Sequence, residues 1–299
     1  MTKPVWLEAA LNGPWSRSRQ RLIPITVAEC VADGIACARA GAAVIHVHAY
    51  DPDSGLQNDD AETYVRIIEG IRAVEDVIVY PTLPLTVTPA ALEPDAVANR
   101  FSAIAQLGSR GLLEWAVVDP GSLNLTTYAD VAAGRTGPIY LNPEEHIRTG
   151  LDLARRYGFV PSYAIYEPGF TRLGAALARS FPDLPAPIFR FMFTTSFTFG
   201  FPPEPFALRA HLELLQKEAP AAEWMAAGLG VDITPLISEV VTAGGHVRVG
   251  LEDAPLGTDV KNAEWVERAA AAIVNSGGKL ASSANVRSAF SKSPSKSPR

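Results

Sequence analysis

Eight short β-rich runs, each followed by a helical pattern, predict a (β/α)8 TIM barrel over nearly the whole chain. Its 299 residues suit one such barrel. No Gly-rich phosphate turn follows the first strand, which argues against the competing doubly wound open sheet. Hydrophobic residues at 47% and charged residues at 19% are enough for a large core and exclude global disorder.

The strands are expected at residues 4–10, 43–49, 77–82, 112–118, 160–166, 187–194, 223–227 and 246–251, from β-branched and aromatic runs between turn signals. Helices are expected at 26–40, 60–74, 94–107, 143–157, 171–179, 204–218, 231–242 and 262–275. Thr26 and Glu29 form a capping box at the first helix, and Gly41, Gly158 and Gly244 stand where helices end. No linker divides the chain, so residues 1–285 read as a single barrel domain. Residues 286–299, with two Ser-Lys-Ser-Pro units, read as a polar C-terminal tail.

Lys and Arg total 26 against 32 Asp and Glu, a formal charge of −6, which disfavours nucleic acid as a partner. Cys30 and Cys37 lie seven apart on one expected helix, too distant for a disulfide. They read as buried hydrophobes of a reducing compartment. The first residues carry no signal-like apolar region and no run of eighteen apolar residues occurs, so a soluble cytoplasmic protein without a membrane partner is expected.

Barrel enzymes react at the C-terminal ends of their strands. The second strand ends Val44-Ile45-His46-Val47-His48, where alternation sends both imidazoles to the barrel mouth and Ile45 and Val47 to the helices. The eighth strand and its turn read His246-Val247-Arg248-Val249-Gly250-Leu251-Glu252-Asp253, with Arg248 and Glu252 on one face. Strands eight and two flank strand one in a closed barrel, which brings Glu252 near His46 and His48. Two histidines and a carboxylate with an open position compose a catalytic zinc site, although another divalent metal suits the same donors. A hydrolase of the amidohydrolase kind is disfavoured, because strands five and six supply no further histidine.

These residues resemble the β-keto acid cleavage enzymes, typified by 3-keto-5-aminohexanoate cleavage enzyme. The matching segments are Ala9-Ala10-Leu11-Asn12-Gly13, Pro24-Ile25-Thr26 with Glu29, Ala40-Gly41-Ala42, and Val44 to His48. Further on come Gly121-Ser122-Leu123-Asn124, Tyr166-Glu167 with Gly169, and Gly244 to Asp253. The resemblance spans most of residues 5–275. It implies zinc on His46, His48 and Glu252, Asp253 as general base, and Arg248 as an active-site arginine. Thr82, Asn12, Trp15, Ser122 and Glu167 fall in its substrate-binding set. It implies acetyl-CoA as co-substrate, a β-keto acid turned into acetoacetate and a new acyl-CoA, and a homo-oligomer, a tetramer in family members. A zinc-dependent barrel hydrolase or aldolase acting on a small carboxylate is the alternative reading.

Several positions depart from the family pattern. Trp15 replaces a glutamate, Val117 a hydroxyl residue, Thr82-Leu83-Pro84-Leu85 a Ser-Thr-Gly-Gly turn, and Ser162 and Ala164 the strand-five acids. A retained metal site with a rebuilt, less anionic pocket is the expectation.

Overall fold

The computed structural model describes residues 3–85, 94–181 and 183–291. Its main sheet holds eight parallel strands: β1 (Leu7–Ala10), β2 (Val44–Val47), β3 (Ile78–Pro81), β4 (Trp115–Val117), β5 (Val160–Ile165), β6 (Ile188–Phe193), β7 (Trp224–Gly228) and β8 (His246–Val249). They are ordered β3-β2-β1-β8-β7-β6-β5-β4. The hydrogen-bonded ladder opens only between β3 and β4, which still lie against one another. This is the expected (β/α)8 barrel. Leu7, Ile45, Val79, Phe189 and Val247 are among its fully buried apolar side chains, consistent with a sheet covered by helices.

Around the sheet run α1 (Val27–Arg39), α2 (Ala61–Arg72), α3 (Pro94–Arg100), α4 (Ser102–Ser109), α5 (Tyr128–Ala132), α6 (Glu144–Tyr157), α7 (Pro168–Ser180), α8 (Pro205–Glu218), α9 (Ile237–Thr242), α10 (Asn262–Asn275) and α11 (Ser283–Phe290). The Thr26–Glu29 capping box starts α1, and Gly158 closes α6 in the left-handed conformation at φ 74°. Helix α7 begins earlier than expected because Pro168 takes the first turn, where a missing N–H costs nothing. The helix expected over 94–107 is interrupted at Phe101. The one expected over 231–242 reduces to a 3₁₀ turn at Thr234–Leu236 and α9, because Pro235 cannot sit inside a helix.

The expected boundary at 285 is corrected. Helix α11 crosses it and closes the N-terminal end of the barrel. Val286 is fully buried, and Phe290 lies 5.4 Å from the Trp6 ring and 5.7 Å from the Trp115 ring. Arg287 pairs with Asp76 at 2.7 Å and Glu114 at 2.5 Å. The short polar-looking stretch hid an i, i+4 apolar pair whose partners lie far away in sequence. Residues 292–299, the rest of the expected tail, fall outside the described residues. Cys30 and Cys37 are buried free thiols, and no described helix is long and apolar enough to cross a membrane.

A chain ending at residue 285 should therefore melt well below the full-length protein, by an amount equivalent to about 3 kcal/mol for the lost apolar contacts. Calorimetry of the two chains checks this; equal midpoints would show that α11 does not seal the barrel floor.

Candidate active site

Polar side chains fill the middle of the barrel, which is unusual for a core and demands internal partners. Glu8 on β1 accepts from the Tyr80 hydroxyl at 2.6 Å and from Arg248 Nη1 at 3.3 Å. Arg190 on β6 donates to Tyr80 Oη and to Ser162 Oγ, both at 2.8 Å. Arg248 grips Asp253 with two bonds of 2.8 Å, Nε to one oxygen and Nη2 to the other. Its Nη2 also reaches Glu252 Oε1 at 2.6 Å. Burial works against the Arg248 cation, but Asp253 and Glu252 outweigh it and hold its pKa well above the ordinary value.

The metal-type donors assemble as the alternation pattern predicts. His46 ends β2, His48 follows it, and Glu252 follows β8; one donor atom from each lies within 4.8 Å of the others. Glu252 Oε2 stands 3.4 Å from His46 Nε2 and 3.6 Å from His48 Nε2. His48 Nε2 and Glu252 Oε2 are buried yet have no hydrogen-bond partner. Buried polar atoms are rarely left so without a ligand. Burial drives the His46 pKa well below its ordinary value, keeping the imidazole neutral as coordination requires. Burial would raise that of Glu252, but the Arg248 guanidinium outweighs it and holds the carboxylate ionised. The donor set therefore fits a divalent ion.

Supporting contacts aim these donors. His48 Nδ1 lies 2.9 Å from Gln57 Oε1, and the Gln57 amide nitrogen donates to Asp59 at 3.0 Å. The proton thus sits on Nδ1 and the Nε2 lone pair faces Glu252. Gln57 lies on a short antiparallel ladder, Tyr50–Asp51 with Leu56–Gln57, that the sequence reading missed. Gly13 adopts φ 59°, and a Cβ there would come within 2.5 Å of Glu252 Cγ. Gly250 adopts φ 136° against the Ala10 carbonyl, which lets the chain leave β8 and turn Glu252 toward the histidines.

The donors stand in a cleft of about 570 Å³ at the C-terminal end of the barrel. Trp15, Arg19, Thr82, Val117, Asp119, Tyr140, Tyr166 and Arg190 line it together with His46, His48 and Glu252. Of the expected substrate-binding set, Thr82 and Trp15 stand on this wall. Trp15 also donates from its ring nitrogen to the Glu252 carbonyl at 2.8 Å. Three others lie off the wall. Asn12 is fully buried and clamps the backbone of His48, donating to its carbonyl at 2.9 Å and accepting from its N–H at 2.8 Å. The Ser122 hydroxyl accepts from the Asn142 N–H at 2.7 Å, and Glu167 stands at the N-terminal boundary of α7 without a side-chain capping bond, its carboxylate accepting from the Gly200 N–H at 3.3 Å. Asp253 lies behind Glu252, away from the cleft wall and committed to Arg248. Burial raises its pKa to about 6 against that arginine's pull.

The expectation of a pocket wall short of carboxylates is corrected at Asp119 and Asp130, which both line the cleft, Asp130 being paired with Arg135 at 2.9 Å. Asp119, two residues after Val117, stands in the cleft. It accepts from the Ala164 N–H at 2.9 Å and the Tyr140 hydroxyl at 2.6 Å, so strand four supplies an acid beside the strand-five position that lacks one.

A (β/α)8 barrel with two histidines and a carboxylate at its mouth defines a class of barrels whose donors are able to hold a divalent ion. Within that class the chain belongs to the β-keto acid cleavage enzyme family, whose model matches residues 4–291. It is 24% identical over 256 residues to 3-oxoadipate:acetyl-CoA acetyltransferase of Cupriavidus necator, covering 85% of this chain and 81% of the relative. It is also 24% identical over 305 residues to 3-dehydrocarnitine:acetyl-CoA trimethylamine transferase of Rhizobium meliloti, covering 96% of each. Among solved structures, the binary complex of ObcA with oxaloacetate shares the fold. Its TM-score is 0.65 at 17% identity, over 90% of this chain and 67% of that one.

Removing a donor, as in His46→Ala or Glu252→Ala, should abolish metal binding while the barrel still folds; full metal occupancy by elemental analysis would refute the donor assignment. Gln57→Leu should weaken metal affinity about 10–100-fold, because the imidazole loses its orienting acceptor. Competition with a metal indicator checks this, and unchanged affinity would remove Gln57 from the site.

Proposed function

We propose that this protein cleaves a β-keto acid with acetyl-CoA as co-substrate, giving acetoacetate and a new acyl-CoA, and that zinc or another divalent ion is its metal. The observation that carries the reading is the pair of buried, unpartnered donor atoms, His48 Nε2 and Glu252 Oε2, on the floor of the cleft of a family member. A divalent ion held by His46, His48 and Glu252 would supply Lewis acidity to a bound β-keto carboxylate.

The chain's own groups account for the rest. Asp253 is the base that takes the proton between the keto and carboxylate carbons. Burial raises its basicity, and Arg248 must release one of its oxygens for the transfer. Arg248 then stays paired with Glu8 and Glu252, and the protonated Asp253 returns its proton to the acetoacetate carbon when the carbon–carbon bond breaks. The carbon so activated attacks the acetyl thioester carbonyl, CoA passes to the original ketone carbon, and cleavage of the carbon–carbon bond releases acetoacetate. Thr82, at the end of β3, offers a hydroxyl to the substrate from the cleft wall.

The rebuilt wall favours a neutral or anionic tail. Trp15 stands where the typical member has a glutamate. Its ring face already carries the Arg19 guanidinium 5.2 Å from the centroid, which leaves that face no room for a substrate cation. Asp119 is committed to Tyr140 and Ala164.

Asp253→Asn should keep the metal and lose about 10²–10⁴-fold in kcat; near-normal turnover would move the base elsewhere, with Glu167 next in line. The kcat/KM for an uncharged β-keto acid should exceed that for 3-keto-5-aminohexanoate by at least about tenfold, the worth of one charge-assisted hydrogen bond. A preference for the amino substrate would overturn this account of the wall.

A further inference from the structure

Among the described residues, three arginines line the cleft, and one of them is uncommitted. Arg190 is buried at the floor on Tyr80 and Ser162, and Arg135 is held by Asp130 at 2.9 Å. Arg19 makes no side-chain hydrogen bond among the described residues, although it lines the same cleft. Its two neighbours of like charge are engaged: Arg17 bonds Glu29 at 2.7 Å, and Arg21 pairs with Asp259. An exposed arginine without a partner is ordinary on a protein surface. Arg19 differs in being laid over an aromatic ring that is itself fixed. The Trp15 ring nitrogen is tied to the Glu252 carbonyl, and the Trp15 carbonyl receives the Tyr50 hydroxyl at 2.7 Å. The guanidinium is thus held on the loop that touches the metal-ligand turn, with its donor edge unsatisfied. With its cation over the ring 5.2 Å from the centroid and no side-chain partner, the fork is free to bind an oxyanion.

The geometry points to Arg19 as a specificity residue that grips an anionic group of the reactants at the lip of the cleft. The chemistry is that of a carboxylate or a phosphate. In the cleavage reaction proposed above, on which this inference rests, two sources offer it: a second carboxylate at the far end of a β-keto diacid, or a phosphate of CoA. Among the described residues, Asp130 and Glu29 already hold their own arginines.

The test is isothermal titration of metal-loaded wild type, Arg19→Met and Arg19→Lys with three probes: 3-oxoadipate, 3-oxohexanoate and free CoA. Binding is read without turnover, so a chain that binds but fails to cleave would defeat the proposed reaction and leave the Arg19 assignment intact. Arg19→Met should bind either 3-oxoadipate or CoA about tenfold more weakly, with 3-oxohexanoate unchanged and Arg19→Lys partly restoring the loss. Weakening confined to 3-oxoadipate identifies the distal carboxylate as the partner, and weakening confined to CoA identifies a phosphate. Equal affinities in wild type and Arg19→Met for all probes, an equal loss for the uncharged-tail acid, or no binding of either anion to wild type would each overturn the assignment.

Discussion

A guanidinium sealed inside a barrel has to be neutralised on the spot, and Arg248 imposes that condition on everything around it. It is 1% exposed and touches Glu8, Glu252 and Asp253. Leaving such a charge unpaired would cost about 3–5 kcal/mol, so the three carboxylates come as a set. The pairing also divides Glu252 into two halves. One oxygen serves Arg248, and the other is left facing His46 and His48 with no protein partner. The metal-type site is thus the unsatisfied edge of a buried ion network. The backbone of Gly13 and Gly250 makes room for the turn that presents it.

Much of this was legible because it is local in sequence. Period-two alternation placed His46 and His48 together, and a capping box and helix-closing glycines marked α1 and α6. All eight strands lie within their expected windows or overlap them closely. What escaped depends on contacts that no local pattern announces. Gln57 meets His48 through a two-residue ladder too short to carry a pattern, and Asp119 finds Tyr140 and the Ala164 N–H across two loops. Helix α11 looked like a polar tail because its apolar pair, Val286 and Phe290, matters only against the barrel floor. Asn12 shows the converse case: its motif marked it for substrate, but the fold uses it to hold the backbone of His48.

Relatives at equal distance from this chain are named for different substrates. At the same 24% identity, one is named for a dicarboxylic keto acid and the other for a trimethylammonium compound. The donors and their ion network sit in the rigid strand ends, whereas Trp15, Arg19 and Asp119 sit in the segments after β1 and β4.

The most direct measurement of the proposed chemistry is the fate of carbon from acetyl-CoA labelled with ¹³C in both acetyl carbons, incubated with the metal-loaded protein and an unlabelled β-keto acid. The account predicts acetoacetate labelled in its methyl and ketone carbons and unlabelled in its carboxylate half, together with an unlabelled new acyl-CoA. Labelled acetate with no labelled acetoacetate would show thioester hydrolysis instead and would contradict it.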